Sequence, residues 1–240
     1  MHLDKVITAL MRRWLPLAIL LVGLGAFFYF DLSQFLNFST LQQHRQTLLS
    51  WTEAHYFQAA FIYIIIYILA VAISIPGAIF LTLVGGFLFG TIFGTLYVLI
   101  SATLGATLIF LAVRIALEPW VAKKTSRWIK KMRTGFKQGA FQYLLFLRLV
   151  PLFPFWVINI VPALLGVKAS TFMLATFIGI IPGSIVYVTL GNGLGSIFDR
   201  NETPNLGIIF ELPVLLPLLG LAFLSLVPII YQWKKRKSST

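Results

Sequence analysis

Apolar positions along this chain come in long continuous runs that do not alternate, and two of the runs are broken in the same way. The first reads Ile75-Pro76-Gly77-Ala78 and continues apolar to Gly85-Gly86-Phe87-Leu88-Phe89-Gly90. The second reads Arg148-Leu149-Val150-Pro151-Leu152-Phe153-Pro154-Phe155 and continues past Asn159 to Gly166. In each, a proline is followed 14 or 15 residues later by a glycine, and then by a run long enough to span a bilayer. Proline removes a backbone donor and breaks a helix, so each break predicts a helix–turn–helix unit. Interrupted apolar segments at matching positions of two halves point to a substrate path inside a membrane protein.

The remaining runs fit helices that cross fully, over 14–30, 92–113, 171–190 and 213–231. Treated as hairpins, 56–75 with 77–90 and 139–150 with 155–166 each enter and leave on one face, the first external and the second cytoplasmic. The expected fold is therefore an all-α integral membrane protein, an inverted repeat of two re-entrant helical hairpins with about four full transmembrane helices. Continuous apolar runs favour helices over a β-barrel, whose strands would alternate. Residues 1–55 form a first helix, read as an uncleaved span, with an external loop. Residues 56–198 form the core, and 199–240 a last helix with a basic tail.

Composition agrees. The chain of 240 residues is 59% hydrophobic and 11% charged, against roughly 25% charged in soluble domains, and its mean hydropathy is +0.91. The net charge of +12 does not point to nucleic acid, because the basic residues sit in blocks beside apolar runs. They include Lys5, Arg12 and Arg13, the cluster from Arg114 to Lys137, and Lys234 to Lys237. In the hairpin topology sixteen of the nineteen Lys and Arg are cytoplasmic and five of the seven acids are external, as the positive-inside rule requires. Both termini are then cytoplasmic, in a plasma membrane of bacterial inner-membrane type, with an endomembrane as the alternative. The spacing of Val121, Trp128, Met132 and Phe136 predicts a basic amphipathic helix over 119–137, suited to an anionic leaflet.

Arg148 is the sharpest chemical signal. It lies in an apolar limb with no acid within 29 residues on either side. An arginine in mid-membrane costs about 2.5–3.5 kcal/mol on insertion scales. It therefore needs a cavity, a partner, an anionic ligand or a route to the headgroups, and guanidinium matches phosphate well. Asn159, the one amide in 143–166, suits either a broken backbone or a substrate. Pro151, Pro154, Pro76 and Gly77 form the two tips, where Ser74 and Thr82 can patch freed hydrogen bonds. Gly86, Gly90, Gly94 and Gly105 form a small face for close helix packing, Pro182-Gly183 predicts a kink, and 191–195 a loop. Enzymatic motifs are missing, the three histidines have no metal-ligand spacing, and the chain has no cysteine. No metal and no cofactor are expected.

These motifs together resemble the DedA superfamily, and within it the SNARE-associated Golgi protein or VTT-domain branch. They are Ile-Pro-Gly-Ala-x-x-Leu-Thr at 75–82, Gly-x-Leu-Phe-Gly at 86–90, Arg-Leu-Val-Pro-Leu-Phe-Pro-Phe at 148–155 and Pro-Gly at 182–183. The resemblance covers about 56–198. It implies two opposed re-entrant hairpins, with Arg148 at the family's motif arginine and Pro76, Gly77, Gly86 and Gly90 in its first loop. Family members include lipid scramblases of endomembranes and bacterial proteins linked to recycling of undecaprenyl phosphate. The acids of the bacterial pattern are replaced here by Ala70 and Ala78, and its second arginine by Pro154, which removes the obvious proton carriers.

The function expected is movement of lipid headgroups across the bilayer, by phospholipid scrambling or polyprenyl-phosphate translocation. The alternatives are a secondary transporter of a small anion or ion, and a non-transporting scaffold. The expected partners are membrane lipids with anionic headgroups and no nucleic acid, and a homo-oligomer stays open.

Overall fold

The structure is a computed structural model, which describes the backbone of residues 2–123, 139–200 and 202–237. Every regular element among the described residues is helical. Two compact units divide the chain. One gathers Met1–Ala18, Thr107–Ile180 and Ile209–Thr240; the other gathers Ile19–Ala106 and Ile181–Ile208. The helices are α1 (His2–Tyr29), α2 (Phe38–Gln43), α3 (Arg45–Ala54), α4 (Tyr56–Ala72), α5 (Ala78–Lys123), α6 (residues 139–149), α7 (Phe155–Leu164), α8 (Ala169–Gly179), α9 (Ile181–Asn192), α10 (Leu194–Asp199) and α11 (Leu212–Lys237).

The second unit contains the first hairpin. Helix α4 ends where Ser74 adopts a left-handed φ of 58°. There Ile75 N–H reaches back to Ala70 C=O and Ser74 N–H to Val71 C=O, the paired bonds of a Schellman C-cap. Pro76 follows, Gly77 turns at φ 96°, and α5 begins. Two tyrosines of α4 then hold the returning limb, 78–89. The Tyr63 hydroxyl donates to Leu81 C=O at 2.8 Å, and the Tyr67 hydroxyl lies 2.8 Å from Thr82 Oγ1.

Helix α5 is two helical segments joined at a break at Gly90, with φ 72° and ψ −179°, a region open essentially to glycine alone. The break reverses the chain. A Cβ built on Gly94 would lie 2.6 Å from Gly85 C=O, whereas residues nine apart in a straight helix are separated by about 13.5 Å. Beyond Gly90, α5 runs beside α4 in the same direction. Tyr56 meets Phe93 and Tyr97, and Gly105 meets Ile68 and Val71. The apolar stretch of α5 continues to Leu117.

Gly86, Gly94 and Gly105 lie at close helix contacts. A Cβ on Gly86 would come within 2.0 Å of Val188 C=O, and one on Gly105 within 2.6 Å of Ile68 C=O. Gly90 is not a packing residue: a Cβ there would meet nothing nearer than Asn192 Oδ1 at 4.0 Å, and its φ serves the reversal. The glycine-rich 191–195 is not a loop either. Gly191 closes α9 against the backbone of Leu83, and α10 starts at Leu194. Leu41, Leu83, Leu194 and Phe198 form the core there.

The first unit contains the second hairpin, α6 and α7, with its tip at 150–154. Helix α7 ends in the same cap, with Gly166 at φ 74°, Val167 N–H on Pro162 C=O and Gly166 N–H on Ala163 C=O. Both expected glycines thus mark the point where a hairpin hands over to the next helix. Each unit contains one proline-tipped helix pair. Helix α8 ends at Gly179, one turn before Pro182, whose ring cannot supply the N–H that would continue it.

The described residues include one helix long and apolar enough to cross a membrane, 78–117, and up to three if each bent pair counts as one span. Helices α3 and α4 form one such pair, bent by 117°. The amphipathic helix expected at 119–137 falls largely outside the described residues.

Arg13 has a different role from the one its charge suggests. Its Nε donates to Ile115 C=O at 2.9 Å and its Nη2 to Ala116 C=O at 2.9 Å. Ile115 C=O would ordinarily accept from the N–H of residue 119, which is Pro119 and has none. Arg13 therefore satisfies a carbonyl orphaned inside α5. Replacing Arg13 by Ala is expected to lower stability by about 1.5–3 kcal/mol, the range for charge-assisted bonds. Thermal unfolding in detergent checks this; Pro119→Ala should restore part of the loss, and an unchanged Tm in Arg13→Ala would refute the role.

Candidate functional site

Arg148 sits on the last turn of α6, just before the proline tip, and its guanidinium turns into the unit. Nη2 donates to Asn159 Oδ1 at 2.7 Å and to Thr176 Oγ1 at 2.9 Å. Its Cζ lies 4.6 Å from the centre of the Phe155 ring and 5.4 Å from that of Phe172, both within cation–π range. Phe172 is fully buried and stacks on Phe110 at 4.3 Å. Helices α6, α7 and α8 thus each contribute to one cage.

Local sequence explains how the cage is built. Pro154 caps α7 in extended geometry, with ψ 131°, so Phe155 starts the helix beside the tip. Asn159 follows one turn later and is wholly buried. Gly179 lets α8 approach, since a Cβ there would lie 2.6 Å from Arg148 Cβ.

The polar accounting is unequal. Guanidinium has only donors, so the bond from Nη2 fixes the Asn159 amide with Oδ1 toward Arg148. Among the described residues, Arg148 Nε and Nη1 and Asn159 Nδ2 are buried and have no hydrogen-bond partner. No acid among them contacts the guanidinium. Three buried donor atoms, two of them the guanidinium's own, are thus unsatisfied among the described residues, each costing about 1–3 kcal/mol.

The structure brings together Arg148 and Asn159, with Pro151 and Pro154 in the adjoining tip. Asn159 does not patch the broken backbone: it holds Arg148. Pro76 and Gly77 belong to the other unit. At that tip Thr82 Oγ1 does bond back to Ala78 C=O at 3.2 Å, whereas Ser74 Oγ is buried without a partner among the described residues. Sequence reasoning missed Thr176, Phe172, Phe155 and Gly179. A run of apolar and small residues gave no sign of which would face Arg148.

Residues 75–193 match the VTT domain, the stretch holding both tips and the whole cage. A Xenopus tropicalis protein named transmembrane protein 41B is 30% identical over 196 residues, covering 80% of this chain and 68% of the relative. The chain belongs to the VTT-domain, DedA/SNARE-associated Golgi protein family. Human transmembrane protein 41B is 29% identical over 196 residues, or 80% of this chain and 65% of the relative. The Drosophila melanogaster transmembrane protein 41 homolog is 30% identical over 156 residues, 63% and 48% respectively. The chain thus spans about half to two thirds of these last two relatives. No solved structure matches it. With its apolar helices and its VTT domain, this is a membrane protein.

Proposed function

We propose that the protein moves lipid headgroups across a bilayer while the tails stay in lipid. In this reading the two hairpins are re-entrant and oppositely oriented. Four helices cross fully, both termini are cytoplasmic, the membrane is of plasma-membrane type, and no covalent chemistry is performed. One observation carries the reading: a buried guanidinium that has orphaned donors and no acid beside it among the described residues, next to a proline-broken tip. A cation so placed is costly in a membrane and becomes favourable when an anionic group passes. Coupling to a proton gradient is disfavoured, because the hairpins contain no carboxylate.

Reconstitution into liposomes with a fluorescently labelled phospholipid tests this. Dithionite quenching is expected to pass from about half of the label to nearly all of it when protein is present. Arg148→Ala should slow the second phase at least tenfold. Equal quenching with and without protein would overturn the reading.

A further inference from the structure

Three short helices cover the returning limb 78–89 of the first hairpin. They are α2 and α3, of six and ten residues, and α10, of six. Leu41 of α2 and Leu194 and Phe198 of α10 share one buried core with Leu83 of the limb. Phe38 and Leu48 from the cover, and Phe80, Val84 and Phe87 from the limb, pack against that core. The Phe38 ring meets Phe80 at 5.3 Å and the Phe198 ring meets Phe87 at 6.3 Å. Helices this short are marginal on their own, so the cover depends on its ties. Leu41 is the buried apolar residue of α2, and α3 buries only Thr52. Among the described residues two polar ties join these helices to α10. Arg45 Nη1 donates to Asp199 Oδ1 at 2.6 Å, and Gln42 Nε2 to Phe198 C=O at 3.3 Å. The ion pair is exposed, its side chains 31% and 63% accessible; such pairs hold weakly and are screened by salt.

We infer that α2 and α3 form a latch that opens off α10 and uncovers the returning limb, with Arg45–Asp199 as its catch. The latch stands on the packing and the ties; that its opening admits a headgroup rests on the proposed function. The chain enters the cover past Asp31, at a left-handed φ of 48°. It leaves at His55, where α3 and α4 are bent by 117°. The cover can therefore swing without breaking a continuous helix. Segments with few buried apolar contacts open locally well before the whole structure does. The limb beneath is held more firmly. Tyr63 and Tyr67 hold it by hydroxyl contacts, and Gly86 and Gly191 bring its backbone against α9. The cover leaves before the limb moves.

The chain has no cysteine, so a single reporter thiol tests this. In purified protein, Leu83→Cys should react with a water-soluble maleimide only while the latch is open. Leu194→Cys, buried in the same core, replaces it should Leu83→Cys fail to fold. Leu144→Cys, buried in the other unit, is the control. Arg45→Ala and Asp199→Ala are each expected to speed reporter labelling about two- to fivefold, the range an exposed ion pair supports. The two together should add nothing beyond either alone, since both remove one interaction. The exchanged pair, Arg45→Asp with Asp199→Arg, should return labelling to the slow rate. Added NaCl should speed labelling in the chain that keeps the pair and not in Arg45→Ala. Equal labelling in every variant would overturn the latch. So would labelling of Leu144→Cys that rises in step, which marks general loosening. In liposomes, Arg45→Cys with Asp199→Cys joined by a bismaleimide should lose at least fivefold in flux against the same chain treated with N-ethylmaleimide. Unchanged flux on joining would remove the latch from the path. No flux in either the wild type or the N-ethylmaleimide-treated chain overturns the headgroup reading instead, and labelling still decides the latch.

Discussion

Asn159→Asp is expected to abolish headgroup movement while leaving the protein folded. The new carboxylate would lie where Oδ1 now does, 2.7 Å from Arg148 Nη2, and is present at unit occupancy whatever the lipid. Two unit charges 4 Å apart interact by about 4 kcal/mol at an effective dielectric of 20. A passing anion that loses even about 1.4 kcal/mol of this attraction binds tenfold more weakly. Flux should therefore fall at least tenfold, with Tm unchanged or raised, because a buried cation gains a bonded partner. Asn159→Leu should behave in the opposite way for stability. It removes an acceptor from a buried guanidinium and is expected to cost about 1–3 kcal/mol. Liposome flux and thermal unfolding, read together, separate a ligand site from a structural one. Wild-type flux in Asn159→Asp would exclude the cage from the path.

Gly86→Ala and Gly191→Ala should each destabilise strongly. The two glycines form a reciprocal contact between limb 78–89 and α9. A Cβ on Gly86 would sit 2.0 Å from Val188 C=O, and one on Gly191 2.1 Å from Leu83 C=O. Neither obstacle is the movable end of a side chain, so the helices must part by about an ångström, loosening the core of Leu83, Leu194 and Phe198. Overpacking of this kind costs about 1–3 kcal/mol, and more where backbone is the obstacle. The double variant should lose less than the sum, since either methyl group alone forces the same separation. Gly195→Ala is the control: nothing lies within 4 Å of its Cβ position, and a helical alanine gains about 0.5–1 kcal/mol over glycine. Unfolding of Gly86→Ala and Gly191→Ala within a degree of wild type would refute the contact.

What the sequence made legible was local. Pro76 and Pro151 announced the tips, because each acts on its own backbone through a missing donor. Pro182 likewise announced the break after α8. The misreadings came where the same residue type serves distant neighbours. Gly191 looked like a turn and is a helix contact. Gly90 looked like a contact and is a turn. Arg13, read only as a topology charge, in addition caps a carbonyl orphaned by Pro119, more than a hundred residues away.

By itself, the sequence determined that this is a helical membrane protein with two proline-tipped hairpins and one cation inside an apolar limb. Hydropathy, proline and glycine act within a few residues of where they stand. Only the tertiary structure decided what surrounds that cation. Thr176 lies 28 positions and Asn159 11 positions from Arg148, and both reach it because Gly179 lets α8 close on α6 while Pro154 starts α7 beside the tip. A long side chain finds its partners through the rotation and spacing of packed helices, which no linear spacing encodes.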